Sequence, residues 1–336
     1  MPGILDIWNE NFWGLTELTD SINILPYVPR MIEQMGVFVK KSITTTSVSA
    51  EYKNGEIQLV GNQPRGVIAK ANTVTKRTGR AFNCLHLPLS DAVMADDVQG
   101  VRAWGSATVA ETIQGKVNDK LAEMKGHLDA TLEWHRIGAL KGVLLDADGS
   151  TEILNIYTEF GIAEPTQDFD FSSDSVDVRN QCMTLIRTIA GQLGAYQMGL
   201  VGVLCSDEWF DELISHASVK NTYLNFAAAA DLRQNLAYAS FDFGGCRFVN
   251  YRGNVSSQAF VATNTARAFP LATNGLFAEY YAPADYNETV NTPGQPFYAK
   301  SEPLPLGKGM LIEAQSNPLM LCHRPQTCIK LTMTTV

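Results

Sequence analysis

Hydrophobic positions repeat most regularly between residues 91 and 140. Val98, Val101, Gly105, Val109, Ile113, Val117, Leu121, Met124, Leu128 and Leu132 advance 34 residues in nine steps, a mean just under 3.8. That spacing is near the helical period and predicts a long helix. Unbroken from Asp97 to Leu140, it would run roughly 66 Å at 1.5 Å per residue. Glycines at 100, 105, 115, 126 and 138 interrupt the pattern and point to bends or close backbone approach.

Residues 43–89 carry a different pattern. Thr44, Thr45, Thr46 and Val48 are β-branched, and Lys53-Asn54-Gly55-Glu56 is a hairpin turn signal. Gly61-Asn62-Gln63-Pro64-Arg65-Gly66 marks a second break, and Val67, Ile68 and Thr73 to Thr78 read as further strand. Few large apolar side chains anchor the stretch. It is expected to stand away from its own core as an extended hairpin with arms of roughly 50 Å.

After Gly142 the pattern becomes mixed α/β. Val143–Leu145 and Glu152–Tyr157 are expected as strands around an Asp146–Gly149 turn. A helix is expected from about Ser175 through Ile189. Leu200–Cys205 reads as a buried strand, followed by a helix over 207–217 capped by Ser206. Further strands are expected at 246–251, 258–263, 309–314 and 328–335. At the other end, Ile4, Leu5, Ile7, Trp8, Phe12, Trp13, Leu15 and Leu18 precede the breaks at Pro26 and Pro29. That cluster covers either its own core or a neighbour.

Length and composition bound the class. The 336 residues are 45% hydrophobic and 18% charged, which suits one or two domains with real cores and excludes a disordered chain. No apolar run is long enough to cross a bilayer. Met-Pro-Gly-Ile-Leu-Asp has no basic region, so no secretory signal is expected. Six scattered cysteines without a C-x-x-C are expected to be reduced.

The net charge of −9 argues against a protein that coats DNA with its whole surface. The charge is uneven. Residues 40–90 hold eight basic residues against Glu51 and Glu56, a net of +6, while residues 143–219 hold thirteen acids against Arg179 and Arg187, a net of −11. These are either two solvated surfaces or complementary surfaces on different copies of the chain.

Candidate chemistry is thin. Val143-Leu144-Leu145-Asp146-Ala147-Asp148-Gly149-Ser150 resembles the first motif of haloacid-dehalogenase-type phosphatases, with Asp146 as nucleophile and Asp148 as acid/base on Mg²⁺. Leu204-Cys205-Ser206-Asp207 with Asp211 imitates that family's later acidic motif. The family needs a lysine between the two, and 143–219 has none. A polar β-turn accounts for Asp-Ala-Asp-Gly equally well. No phosphate-binding glycine loop is present. His127 and His135 read as structural. Cys322, His323 and Cys328 could be three metal ligands but lack a second C-x-x-C, so they read as buried thiols and a neighbour. No catalytic, cofactor or metal site is expected.

Specific blocks along the chain resemble the major capsid proteins of lambda-like tailed double-stranded-DNA phages, the phage major capsid protein E family. They include LPYVPR at 25–30, NQPRG at 62–66, ADDVQGVRAWGS at 95–106, LDATLEWHRIGALKGVLLDADGS at 128–150, YTEFG at 157–161, LISHASVK at 213–220, FAEYYAPADYNETVN at 277–291 and EAQSNPLMLCHRP at 313–325. The resemblance implies an α+β chain of the Hong Kong 97 capsid fold. Its parts would be an N-terminal arm at 1–42, an extended loop at 43–89, a peripheral domain with a long spine helix at 90–142 and 290–336, and an axial domain at 143–289. It implies self-assembly into pentamers and hexamers of an icosahedral head enclosing DNA without sequence-specific binding. The virion would be built in the host bacterial cytoplasm. Implied partners are many copies of the chain, a separate scaffolding protein, a portal and a small decoration protein at threefold positions. The chain is expected to keep Met1 or Pro2 as its N-terminus. Lys70, Lys76, Arg77 and Arg80 are expected to contact another copy. Trp8, Phe12 and Trp13 are expected to meet a neighbour or the decoration protein, or else to pack on the subunit itself.

Overall fold

The computed structural model describes residues 31–53, 77–99, 113–194, 196–224, 240–251, 254–255, 258–259 and 261–335. In chain order come the short helix α1 (Met31–Gln34) and strands β1 (Val39–Ser42), β2 (Ser47–Lys53), β3 (Arg77–Asn83) and β4 (Leu87–Met94). The long helix α2 (Ile113–Lys141) leads to β5 (Val143–Leu145), β6 (Glu152–Asn155), α3 (Ile156–Phe160), β7 (Thr166–Asp170) and α4 (Val178–Leu193). Then follow β8 (Val201–Cys205), α5 (Asp207–Ser215), α6 (Ala217–Leu224), β9 (Ser240–Phe243), β10 (Cys246–Asn250), β11 (Asn254–Val255) and β12 (Gln258–Ala259). The remaining strands are β13 (Ala266–Pro270), β14 (Phe277–Tyr281), β15 (Tyr298–Pro303), β16 (Gly309–Ser316), β17 (Pro318–Cys322) and β18 (Ile329–Thr334).

Two compact units divide these elements. One holds the described residues of 31–48, 83–136 and 278–321, and the other holds those of 49–82, 137–277 and 322–335. In the first unit β4, β16 and β15 form one antiparallel sheet, and β1 runs parallel to β14, which also neighbours β17. The sheet of β4 and β16 has one buried face, carrying Val93, Met310, Ile312 and Ala314. Helix α2 buries Val117, Leu121, Met124, Leu128 and Leu132 in the same unit, the residues the helical spacing singles out.

The described helix starts at Ile113 and is 29 residues long, about 44 Å at 1.5 Å per residue. The expected continuous helix from Asp97 is not seen at its start, because Ala95–Asp97 is a 3₁₀ turn closed by the Asp97 carboxylate accepting from Met94 N at 2.8 Å. Residues 100–112 lie outside the described residues. At its other end the helix stops at Gly142, whose φ of +77° suits glycine alone and whose missing Cβ makes room for the Tyr157 ring. Gly138 lets the Val143 carbonyl and Leu144 approach the helix backbone.

The second unit is built on a six-stranded sheet in the order β7-β18-β13-β8-β10-β9. Strand β8, Val-Gly-Val-Leu-Cys, is buried at every position, parallel to β10 and antiparallel to β13. Apolar on both faces, it reads as the continuous run expected of a central strand. Trp209 on α5 is fully buried against Phe169, Phe171 and Phe248, with ring centroids 5.4, 5.4 and 5.7 Å away. Ser206 caps α5 by accepting from Trp209 N at 3.3 Å, as its sequence position suggests. Asp177 caps α4, two residues later than the expected start.

The compact units follow the strand pairing. β14 pairs with β1, which draws 278–289 into the unit of the long helix. β18 pairs with β13 and β7, which draws 329–334 into the unit of the six-stranded sheet.

Candidate assembly interface

Helix α2 sets Glu133 and Arg136 three residues apart, so both face the same direction. Strand β14 brings Glu279 and Tyr281 to that face, and α1 brings Glu33. Arg136 Nε donates to Glu279 Oε1 at 2.5 Å and its Nη2 donates to Glu279 Oε2 at 3.4 Å. Its other contacts are Glu133 Oε2 at 3.3 Å and Glu33 Oε2 at 3.0 Å. The Tyr281 hydroxyl donates to Glu279 at 2.9 Å, and Ile32 N donates to Glu133 at 3.0 Å. Arg136, Glu133 and Glu279 are each at least 98% buried.

Burial works against the Arg136 charge, but the Glu279 carboxylate, with Tyr281 and Glu33, more than offsets it and holds the guanidinium above its ordinary range. Burial pushes the Tyr281 phenol upward, helped by Glu279. At the rim, Lys40 Nζ meets Glu33 at 2.5 Å, and Lys41 lies over the Tyr280 ring. The result is a clamp that fastens residues 31–42 to the helix and to β14. Sequence reasoning missed it. Its sequence signal was the series Lys125, Asp129, Glu133 and Arg136 at helical spacing, all buried along α2.

The basic stretch is described only at its root, where β2 pairs with β3. Phe82 is buried there against Phe160, with ring centroids 5.9 Å apart. Arg80 is exposed, 3.8 Å from Glu159 of the same chain. Both side chains are about half exposed, so this ion pair contributes little. Lys70 and Lys76 lie outside the described residues, as does the side chain of Arg77 at the start of β3. Trp8, Phe12 and Trp13 also lie outside them.

The D-x-D segment is a turn between β5 and β6. Asp148 accepts from the backbone N–H of Ser150 and Thr151, both at 2.9 Å, and from the Thr151 hydroxyl at 2.6 Å. Those bonds hold its carboxyl below the usual range. Asp146 accepts from Ala147 N at 2.8 Å, and Gly149 completes the turn at φ +70°. Both carboxylates are thus committed to the hairpin, with no lysine between 143 and 219 to hold a phosphoryl group.

Of the two helix histidines, His135 is buried and His127 is exposed beside Glu123 at 3.8 Å. Cys322 and Cys328 are buried free thiols. Among the described residues no three His, Cys, Asp or Glu side chains gather to hold a metal, and no helix is long and apolar enough to cross a membrane.

Known proteins resemble the chain along most of its length. The family model described as phage major capsid protein E matches residues 14–333. The chain is 27% identical to the major capsid protein of Pseudomonas phage KPP10, over 96% of this chain and 97% of that one. It is 24% identical to the major capsid protein of Salmonella phage Felix O1, over 94% and 95%. Among solved structures, the bacteriophage PhiM1 mature capsid aligns with a TM-score of 0.53 at 10% identity, covering 92% of this chain and 89% of that one. The satellite phage P4 procapsid aligns with a TM-score of 0.51 at 8% identity, covering 93% and 94%. At such identities the structural likeness speaks for the fold alone, and that fold is the Hong Kong 97 type. The chain belongs to the phage major capsid protein E family.

Proposed function

We propose that the chain is the repeating wall subunit of an icosahedral phage head, assembled as pentamers and hexamers around double-stranded DNA. The carrying observation is the family match from 14 to 333, which runs through both compact units. Residues 90–142, with α2 as the spine helix, and 290–336 form the peripheral domain, and 143–289 the axial domain. Residues 1–42 are the arm and 43–89 the extended loop, whose Lys70, Lys76, Arg77 and Arg80 reach an acidic neighbour. A net-acidic wall suits a container, because it does not trap the packaged polyanion by charge.

The chain performs no catalysis in this reading. Heads form in the bacterial cytoplasm with a separate scaffolding protein and a portal. A small decoration protein binds at threefold positions near Trp8, Phe12 and Trp13. Sedimentation of the purified chain tests the shell claim: megadalton particles are expected, and a stable monomer or small oligomer under all assembly conditions contradicts it. A denaturing gel of infectious particles tests the decoration claim, which fails if this chain alone makes the shell.

A further inference from the structure

The turn from β17 to β18 holds chemistry that shell building does not use. Cys322 ends β17 and Cys328 immediately precedes β18, and both are fully buried. Their sulfurs are 3.8 Å apart, in contact as two reduced thiols. The five residues between them fold tightly over the pair. Thr327 N donates to Arg324 O at 3.0 Å, and Cys328 N donates to Pro325 O at 3.1 Å. The Thr327 hydroxyl donates to Arg324 O at 2.7 Å.

A latch closes this loop. Arg324 Nη1 donates to the Gln192 carbonyl at 3.2 Å, and its guanidinium lies over the Tyr196 ring at 6.0 Å. Gly194 has no Cβ, and that space is taken by the Arg324 guanidinium. The Gln192 bond is exposed, and opening the loop also breaks His323 N to Leu276 O at 2.9 Å and the Tyr157 hydroxyl to Cys328 O at 3.3 Å.

We propose that Cys322 and Cys328 are a redox-sensitive pair, kept as thiols under the Arg324 latch and joined as a disulfide when the loop opens to a small-molecule disulfide. In the closed loop, burial holds the Cys322 thiol well above its ordinary range and quenches its reactivity. On opening, the Cys322 thiolate attacks one sulfur of RS–SR and expels RS⁻. The Cys328 thiolate then attacks the Cys322 sulfur and expels the second RS⁻. The two thiol protons leave with the two thiolates as RSH, so the protein loses two hydrogens and two electrons, and the reagent disulfide gains them. A virion leaving a reducing cytoplasm meets this change of medium.

A second pair of buried thiols serves as an internal control. Cys182, inside α4, and Cys246, at the start of β10, are both buried, and Gly244 packs against Cys182. The β9–β10 turn at Gly244 and Gly245 lies on Cys182 and Ile186, among the described residues without an arginine latch of the Arg324 kind.

The test uses the full chain in assembled particles, exposed to glutathione disulfide, denatured in a thiol-blocking reagent, digested and mapped by mass. The expected product is a Cys322–Cys328 disulfide about 2 Da lighter than the dithiol, with Cys182 and Cys246 blocked as free thiols. Arg324→Ala should reach it about five- to tenfold faster, the effect of removing roughly one hydrogen bond from the closed loop. Cys328→Ser should stop at a glutathione adduct on Cys322. Wild type and Arg324→Ala with all six thiols still blocked after prolonged exposure would overturn the proposal, as would earlier cross-linking of Cys182 to Cys246. An unchanged rate in Arg324→Ala would overturn the latch.

Discussion

Arg136 and Glu279 stand 143 residues apart in sequence and form a two-point ion pair in the interior, Nε to Oε1 and Nη2 to Oε2. Glu133 and Glu33 also meet the guanidinium, and the Tyr281 hydroxyl donates to Glu279. Such a pair gains little over apolar packing, but breaking it by removing one partner leaves a buried charge without compensation. Arg136→Ala should therefore lower the stability of the unassembled subunit by about 3–5 kcal/mol, read by urea denaturation. A loss below about 1 kcal/mol would mean that the clamp behaves as a solvated surface pair.

Lys141 sets a pH signature. Burial, reinforced by the nearby Arg267 charge, lowers its amine to about 8. Above that value the folded state has released the proton while the unfolded chain still holds it, up to the ordinary lysine value. The unfolded state thus binds more protons in this window, and the lysine's contribution to stability rises with pH between about 8 and 10. Lys141→Met should remove that rise, read as the change in urea-denaturation stability across the same pH window. Equal wild-type and variant slopes across the window would contradict the assignment.

The D-x-D turn gives an ordered pair of outcomes. Asp146→Asn keeps a turn-forming residue and should leave particle assembly intact, with no Mg²⁺-dependent phosphatase activity before or after the change. Asp148→Ala removes three accepted hydrogen bonds and should lower the melting temperature more than Asp146→Asn does. A phosphatase activity abolished by Asp146→Asn would reverse the reading of this segment.

Elements whose patterning is local were legible in the sequence. The 3.8-residue spacing found the buried face of α2, the continuous apolar run found β8, and Ser206 announced the start of α5. What escaped was set by partners distant in the chain. Nothing near Glu279 indicates that β1 will lie beside it, and nothing in Ile329–Thr334 says that its neighbours are β13 and β7. The same holds for the charge cluster, because Glu279 stands 143 residues away from Arg136 in the chain. The Asp146–Asp148 motif was legible as either chemistry or a turn, and the hydrogen bonds to Ser150 and Thr151 decide for the turn.

The basic hairpin makes a collective prediction. Each exposed ion pair contributes only about 0–1 kcal/mol, so single changes at Lys70, Lys76, Arg77 or Arg80 should barely alter assembly. Replacing all four with Ala should slow assembly and make its rate less sensitive to salt, measured by light scattering at several ionic strengths. An unaltered rate and salt dependence would show that these residues do not meet another copy.

Electron cryomicroscopy of the purified, assembled protein decides whether this chain builds a closed shell. Icosahedral particles are expected, whose reconstruction fits repeated copies of this fold as pentamers and hexamers. In them, residues 43–89 would lie across a neighbouring copy. A reconstruction in which the chain forms no closed shell, or in which 43–89 folds back on its own subunit, would contradict this expectation.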